Sequence, residues 1–240
     1  MNNPFTSPFL MAHFAEIAYD AVPFDVVVSE AGWQLLEIGR LGQRFGGTTD
    51  FAIYRKDTAL LIAYRGTATD DDDNPVVALA DWFTNLDVKM TDRPEAGKAR
   101  FHGGYWKSYQ ASSPYVEKWI ERFSVEKVTF LGHSKGAGES AAGAVDVARK
   151  HEDIEIDWWG FGVPRLGNRV MIDEMCARVR VHAYAHILDP ITYLPALWRG
   201  YRHVPLRRIF TPLRFPLSRN HSMAGYKQWL AIGSDVHGRA

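Results

Sequence analysis

The sequence predicts an α/β fold, a central and mainly parallel sheet flanked by helices, and three observations point there. After residue 110, runs of buried-type strand residues alternate with helix-period segments, the pattern of strand–helix–strand crossovers. The 240 residues suffice for one large domain, and no repeat, linker or low-complexity block divides them, so one domain over 1–240 is expected. Apolar residues make up 46% and charged residues 23%, a balance that excludes a disordered or collagenous chain.

Each element follows from local pattern. Leu10, Phe14, Ile17 and Ala21 recur at helical spacing and predict a packed N-terminal helix. Thr49 to Arg55 and Thr58 to Tyr64 are β-type runs separated by Lys56-Asp57, a hairpin or two neighbouring strands. Tyr115, Trp119, Ile120 and Phe123 mark a helix, and Val128 to Leu131 is a strand ending at Gly132. From Gly136 to Lys150 runs a helix rich in alanine and glycine, able to lie close to a sheet. Ile154 to Gly160 is a strand, Arg169 to Ala177 a helix and Val179 to Ala185 a strand. Tyr201 to Val204 is a further expected strand, and Ser222 to Leu230 a final helix with Met223, Tyr226, Trp229 and Leu230 on one face.

Charge and cysteine usage remove several classes. Lys plus Arg equals Asp plus Glu, 28 each, which argues against nucleic acid as a partner. The single Cys176 excludes an internal disulfide and a multi-cysteine zinc site. No apolar run approaches the ~20 residues that span a bilayer. Residues 1–8 lack the basic and apolar segments of a secretory signal, so a cytoplasmic location or signal-independent export is expected.

Open sheets of this kind bind ligands beyond the carboxyl ends of their strands, so chemistry is sought there. Gly132-His133-Ser134-Lys135-Gly136 stands where a strand ends and a helix begins. A serine on so sharp a turn projects its hydroxyl above the sheet, and flanking glycines remove clashing side chains. His133 is expected to be packed or solvent-facing rather than a base. A serine hydroxyl needs a base, and the base needs an orienting carboxylate, in the chain order serine, acid, histidine. Asp189-Pro190 places a carboxylate after the strand Val179 to Ala185, whereas Asp146, Asp153, Asp157 and Asp173 fall on helices or at the wrong sheet edge. Of the later histidines, His203 is expected on a strand and His237 near the terminus, which leaves His221, just before the last helix, as the base. The N–H of Lys135, at a helix start, is a donor for a developing oxyanion.

Several blocks together resemble the class 3 lipases, similar to the secreted fungal triacylglycerol lipases. They are Ala63-Tyr-Arg-Gly-Thr67, Asp81-Trp82 with Asn85-Leu86-Asp87, His102-Gly-Gly-Tyr105, the Gly132 to Gly136 turn, Phe161 to Asn168, Asp189 to Pro195, and Asn220-His221 with Tyr226. The resemblance implies an α/β-hydrolase fold and a lipid-ester hydrolase with Ser134, Asp189 and His221 as its triad. It implies Thr67 as a second oxyanion donor beside Lys135, and neither a metal nor an organic cofactor. A phospholipase A or acyltransferase would use the same triad, and a non-catalytic lipid- or protein-binding relative is the rival from another class.

The sequence also departs from the family. Lys135 stands where relatives more often carry Leu or Gln; its ammonium either lies near the substrate, favouring an anionic head group, or points to solvent. Residues 68–86 correspond to the family's lid, and Pro75 to Phe83 reads as a short apolar helix, either lid or core. Asp70 to Asp73 lack the spacing of a calcium loop and read as a solvated acidic stretch, with pairing to the arginines below as a further option. No Asp or Glu occurs between Asp189 and Asp235, while Arg199, Arg202, Arg207, Arg208, Arg214, Arg219 and Lys227 do. Arg207, Arg208 and Arg214, mixed with apolar residues just before His221, either contact an anionic membrane surface or form a solvated loop.

Overall fold

The computed structural model describes residues 7–42, 48–67, 90–92, 97–210 and 220–231. The expected lid at 68–86, the aspartates 70–73, Arg214 and His237 lie outside them. Nine strands are described: β1 Gln34–Gly42, β2 Thr48–Lys56, β3 Ala59–Tyr64, β4 Met90–Asp92, β5 Arg100–His102, β6 Lys127–His133, β7 Glu155–Phe161, β8 Arg180–His186 and β9 Arg207–Ile209. The α-helices among these residues are α1 Pro8–Ile17, α2 Val26–Glu30, α3 Gly103–Arg122, α4 Lys135–Lys150, α5 Arg169–Arg178 and α6 Met223–Ala231. The central sheet runs β1-β2-β3-β6-β7-β8-β9, and β4 and β5 form a separate pair. β1, β2 and β3 are antiparallel neighbours, and from β3 to β9 every pairing is parallel. This is the expected mainly parallel α/β sheet with helices on its faces.

Strand periodicity sorts the core onto two faces. Leu60, Ile62 and Tyr64 of β3 pack with Val128, Phe130 and Trp158 and with Tyr105, Tyr109 and Val116 of α3. Their neighbours Leu61 and Ala63 join Leu131, Trp159, Phe161 and Tyr184 against Leu10, Phe14 and Ile17 of α1 and Tyr226 and Trp229 of α6. Such alternation is what a sheet buried on both faces requires. The small residues of α4 serve the predicted close approach. A Cβ on Gly143 would lie 2.6 Å from the Phe130 ring, and one on Gly138 2.5 Å from the Tyr105 ring.

The hairpin expected at Lys56-Asp57 is β2–β3, with Asp57 at φ 52 in the turn. α1 ends at Ile17, short of Ala21. The strand expected at Tyr201 to Val204 does not form; Arg202 makes only an isolated bridge to Gly167, and Pro205, which lacks an N–H, follows. The last parallel strand is instead β9.

Candidate active site

Ser134 sits between β6 and α4 with φ 57 and ψ −122, a region that non-glycine residues rarely adopt. The glycines on either side make the turn possible. A Cβ on Gly132 would meet the Gly136 backbone at 2.4 Å, and one on Gly136 would meet the Tyr64 carbonyl oxygen at 2.3 Å. The serine is therefore held at the carboxyl edge of the parallel strands, its own N–H bonded to the carbonyl of Phe161 at 3.0 Å.

Asp189 is fully buried beyond β8. Its Oδ1 accepts the N–H of Ile191 at 2.9 Å and so caps the 3-10 turn Pro190–Tyr193. Its Oδ2 faces His221 Nδ1 at 2.8 Å and accepts the Tyr226 hydroxyl proton at 2.7 Å. That same hydroxyl oxygen accepts the His186 N–H at 2.9 Å. Burial and the adjacent carboxylate push the Tyr226 phenol well above its ordinary pKa, so it remains a donor. A carboxylate only accepts, so the His221 Nδ1 carries the proton and Nε2 presents a lone pair. Gly162, at φ 56, gives this pair its space: a Cβ there would lie 3.0 Å from the imidazole and 3.1 Å from Asp189 Oδ2. The structure thus brings Asp189 and His221 into contact and sets them beside the serine turn, the His133 and His221 rings lying 4.6 Å apart.

Ser134 Oγ, His221 Nε2 and Thr67 Oγ1 are each buried without a hydrogen-bond partner among the described residues, and the serine and histidine atoms are not bonded to one another. Buried polar atoms are nearly always paired, so an unpaired serine hydroxyl and an unpaired imidazole nitrogen are groups that a bound ligand can engage. Thr67 follows β3, and the backbone just before it packs on Gly136 of α4. Lys135 is the first residue of α4, where helix geometry gives its amide no intrahelical acceptor.

The Lys135 side chain corrects both expectations made for it. It neither faces substrate nor reaches solvent: it is buried, with Nζ 3.2 Å from Oε1 of the fully buried Glu139, one helical turn on. Desolvation raises the Glu139 pKa, against the lowering effect of Lys135 and Ser108. His203 is bonded through Nε2 to the Thr192 carbonyl, and burial lowers its pKa to about 4, so it braces the Asp189 loop rather than serving as the base. Arg165 braces the same loop, donating to the carbonyls of Tyr193 and Pro195.

Sequence reasoning placed Tyr226 on the packed face of the last helix and in the block with Asn220-His221 but gave it no role at Asp189, and it expected His133 to be packed or solvent-facing. The signal for Tyr226 was its position five residues after the histidine; for His133 no local signal exists. Among the described residues no cluster of three or more histidine, cysteine or carboxylate side chains is placed to hold a metal, and no helix is long and apolar enough to cross a membrane.

A family model described as Lipase (class 3) matches residues 61–198. The chain is 22% identical over 158 residues to the secreted mono- and diacylglycerol lipase A of Penicillium cyclopium, covering 64% of this chain and 48% of that protein. It is 24% identical over 163 residues to the secreted mono- and diacylglycerol lipase MDL3 of Malassezia globosa, covering 62% and 51%. The chain thus spans about half the length of these curated relatives. Among solved structures, the mono- and diacylglycerol lipase of Aspergillus oryzae superposes with a TM-score of 0.71 at 18% identity, covering 92% of this chain and 85% of the other. The lipase of Rhizopus microsporus var. chinensis gives 0.70 at 20% identity, covering 88% and 77%. At such identities the superpositions establish the α/β-hydrolase fold.

Proposed function

The chain belongs to the class 3 lipase family, and from that premise we propose that it is a single-domain serine hydrolase that cleaves carboxylic esters of lipids. One observation supports the reading: Asp189 Oδ2 lies 2.8 Å from His221 Nδ1, while His221 Nε2 and the hydroxyls of Ser134 and Thr67 are left without hydrogen-bond partners among the described residues. In the proposed cycle His221 removes the proton of Ser134 as its oxygen attacks the acyl carbonyl. Asp189, oriented by Ile191 and Tyr226, holds the imidazole in the tautomer that can accept that proton. The N–H groups of Thr67 and Lys135 stabilise the tetrahedral oxyanion, each contributing about 3 kcal/mol in comparable sites. His221 then protonates the departing alcohol, and water activated by the same ring releases the fatty acid from Ser134.

The partner of the finer reading is an anionic lipid surface, contacted through Arg207, Arg208 and Arg214. The described part of this stretch supports it. Arg207 and Arg208 are exposed on β9, Phe210 beside them is 46% exposed, and Trp198, with Arg199 stacked 5.0 Å from its ring, is 81% exposed. Exposed aromatics beside arginines suit the head-group layer, where each basic residue contributes about 1 kcal/mol.

Labelling by a serine-directed fluorophosphonate, with parallel hydrolysis of mono-, di- and triacylglycerol and phospholipid, tests the proposal. Wild type takes the label and Ser134→Ala folds but neither labels nor turns over. An unlabelled wild type, or turnover by Ser134→Ala, would falsify the assignment; preference for the phospholipid, or transfer to added alcohol, would move it to a phospholipase A or an acyltransferase.

A further inference from the structure

The residue in front of the serine links two parts of the site that the chain keeps far apart. His133 is buried, with Nε2 2.6 Å from the main-chain oxygen of His221 and Nδ1 2.8 Å from the hydroxyl of Tyr19. A carbonyl oxygen only accepts, so Nε2 carries the ring proton and Nδ1 is the acceptor. The Tyr19 hydroxyl must then donate to Nδ1, while its oxygen lies against the backbone of Gly66. Both hydrogen-bond directions are thereby set, Tyr19 O–H to His133 and His133 N–H to the carbonyl of His221, with Gly66 packed against the Tyr19 oxygen.

One end of this relay is the residue before Thr67, and the other is the main chain of the base. Contact at the Gly66 end is close. A Cβ there would lie 2.0 Å from the Tyr19 hydroxyl oxygen and 2.8 Å from the His133 carbonyl oxygen, so only glycine lets the three segments meet. Tyr19 lies 114 positions from His133 and His133 88 from His221, so no local structure would hold these segments in register. Burial, then the neighbouring His221, keeps the His133 pKa well below its ordinary value. The ring therefore stays neutral, with one donor and one acceptor.

We propose that Tyr19 and His133 are positioning residues that set the oxyanion loop and the base loop in register on either side of Ser134. The proposal rests on the hydrolase reading above. Neither residue touches substrate; each acts through the backbone it holds.

The test uses the full chain and a soluble p-nitrophenyl ester, with thermal unfolding and fluorophosphonate labelling rate measured alongside. Tyr19→Phe deletes one hydroxyl. His133→Gln keeps a donor for the His221 carbonyl and an acceptor for Tyr19, and His133→Leu keeps neither. A misplacement of the reacting groups by about an ångström lowers rate about 100-fold, so Tyr19→Phe and His133→Leu are expected to lower kcat by about 10- to 100-fold with KM nearly unchanged. His133→Gln recovers most of that loss, and Tyr19→Phe adds little on top of His133→Leu, because the two act as one unit. Should His133→Leu fail to fold, Tyr19→Phe and His133→Gln still decide. Wild-type kcat in Tyr19→Phe overturns the proposal, as does a Tyr19→Phe loss confined to the melting temperature, or losses that multiply in the double variant. A wild type inert to both ester and label would sink the hydrolase reading and this proposal together, whereas an active wild type matched by Tyr19→Phe sinks this proposal alone.

Discussion

Replacing Lys135 by Met leaves the Glu139 carboxyl in the core without its cation. Both partners are sealed from water, with side-chain exposures of 6% for Lys135 and 0% for Glu139, so solvent does not screen the pair as it would at a surface. Breaking such a pair from one side destabilises by about 3–5 kcal/mol, because the surviving charge is neither solvated nor compensated. For a chain of this size a kcal/mol shifts the melting temperature by about 2–4 °C, so Lys135→Met should lower it by about 6–20 °C. The pH dependence follows from the direction of the Glu139 shift. Its folded-state pKa already lies above the ordinary carboxylate value of 4.5, with burial as the main cause. Below 4.5 folded and unfolded chains both hold the proton, and the group adds no pH dependence. As pH rises from there the unfolded chain ionises first, so stability falls until the folded group ionises as well. Without Lys135 the folded pKa rises further and the fall continues to higher pH. Thermal unfolding at pH 5 and pH 8 reads this out, with the larger loss at pH 8. Lys135→Met combined with Glu139→Leu should return most of the stability, since an apolar pair of similar volume replaces a buried ion pair at little net change. Equal melting of Lys135→Met and wild type at pH 8 would refute the reasoning, as would a double variant less stable than the single.

Tyr226→Phe removes one of the donors to Asp189 Oδ2 and the acceptor of the His186 N–H. A bond to a charged group is worth about 1.5–3 kcal/mol, so the variant should unfold at lower urea and turn over a soluble ester more slowly; unchanged kcat and unchanged midpoint would show that the phenol orients nothing. Gly132→Ala forces a Cβ to within 2.4 Å of the Gly136 backbone, and the variant should fail to fold or lose several degrees of melting temperature; a wild-type melt would mean that the turn is looser than described. Arg207→Gln with Arg208→Gln should weaken co-sedimentation with anionic vesicles at low salt by about 2 kcal/mol, roughly 30-fold, leaving neutral vesicles unaffected; equal binding of the variant and wild type to anionic vesicles would remove β9 from any membrane contact.

What the sequence disclosed depended on how local the physics was. The strained serine turn is written in five consecutive residues, because glycines are needed where a Cβ would strike backbone, and those clashes are all made within the turn or against the adjacent strand. β6 is buried along nearly its whole length and carries the short run Val128 to Leu131, while β7 and β8 bury their carboxyl halves and carry apolar residues interrupted by Asp157 and by His182. β1 was not anticipated, and its burial explains the omission: it is half-exposed along most of its length, interrupted by Gly39, and shifted in register between Leu35 and Glu37. The start of α3 was hidden in the same way, since it opens on Gly103-Gly104, residues that weaken a helix on their own and form one here under the weight of burial. β9 has only three residues and rests on β8 rather than on its own pattern.

The Lys135 side chain shows where a local reading fails even with the right neighbours in view. The i,i+4 partner Glu139 was visible in the sequence, and on an exposed helix that spacing means a weak surface pair. Here α4 runs between the sheet and α3, and almost every residue from Lys135 to Ala148 is buried, so the same spacing becomes an ion pair inside the core. Composition cannot separate the two cases, because the separating fact is the layer packed above the helix. The relay through Tyr19 and His133 is non-local by the same logic. Its members come from the segment after α1, the end of β3, the end of β6 and the start of the last helix, and each carries an ordinary residue type. A reaction confined to one turn needs only local sequence, whereas the register between its base and its oxyanion donors belongs to the tertiary fold. Loss of rate without loss of fold in Tyr19→Phe would measure how much of this site is held from that distance.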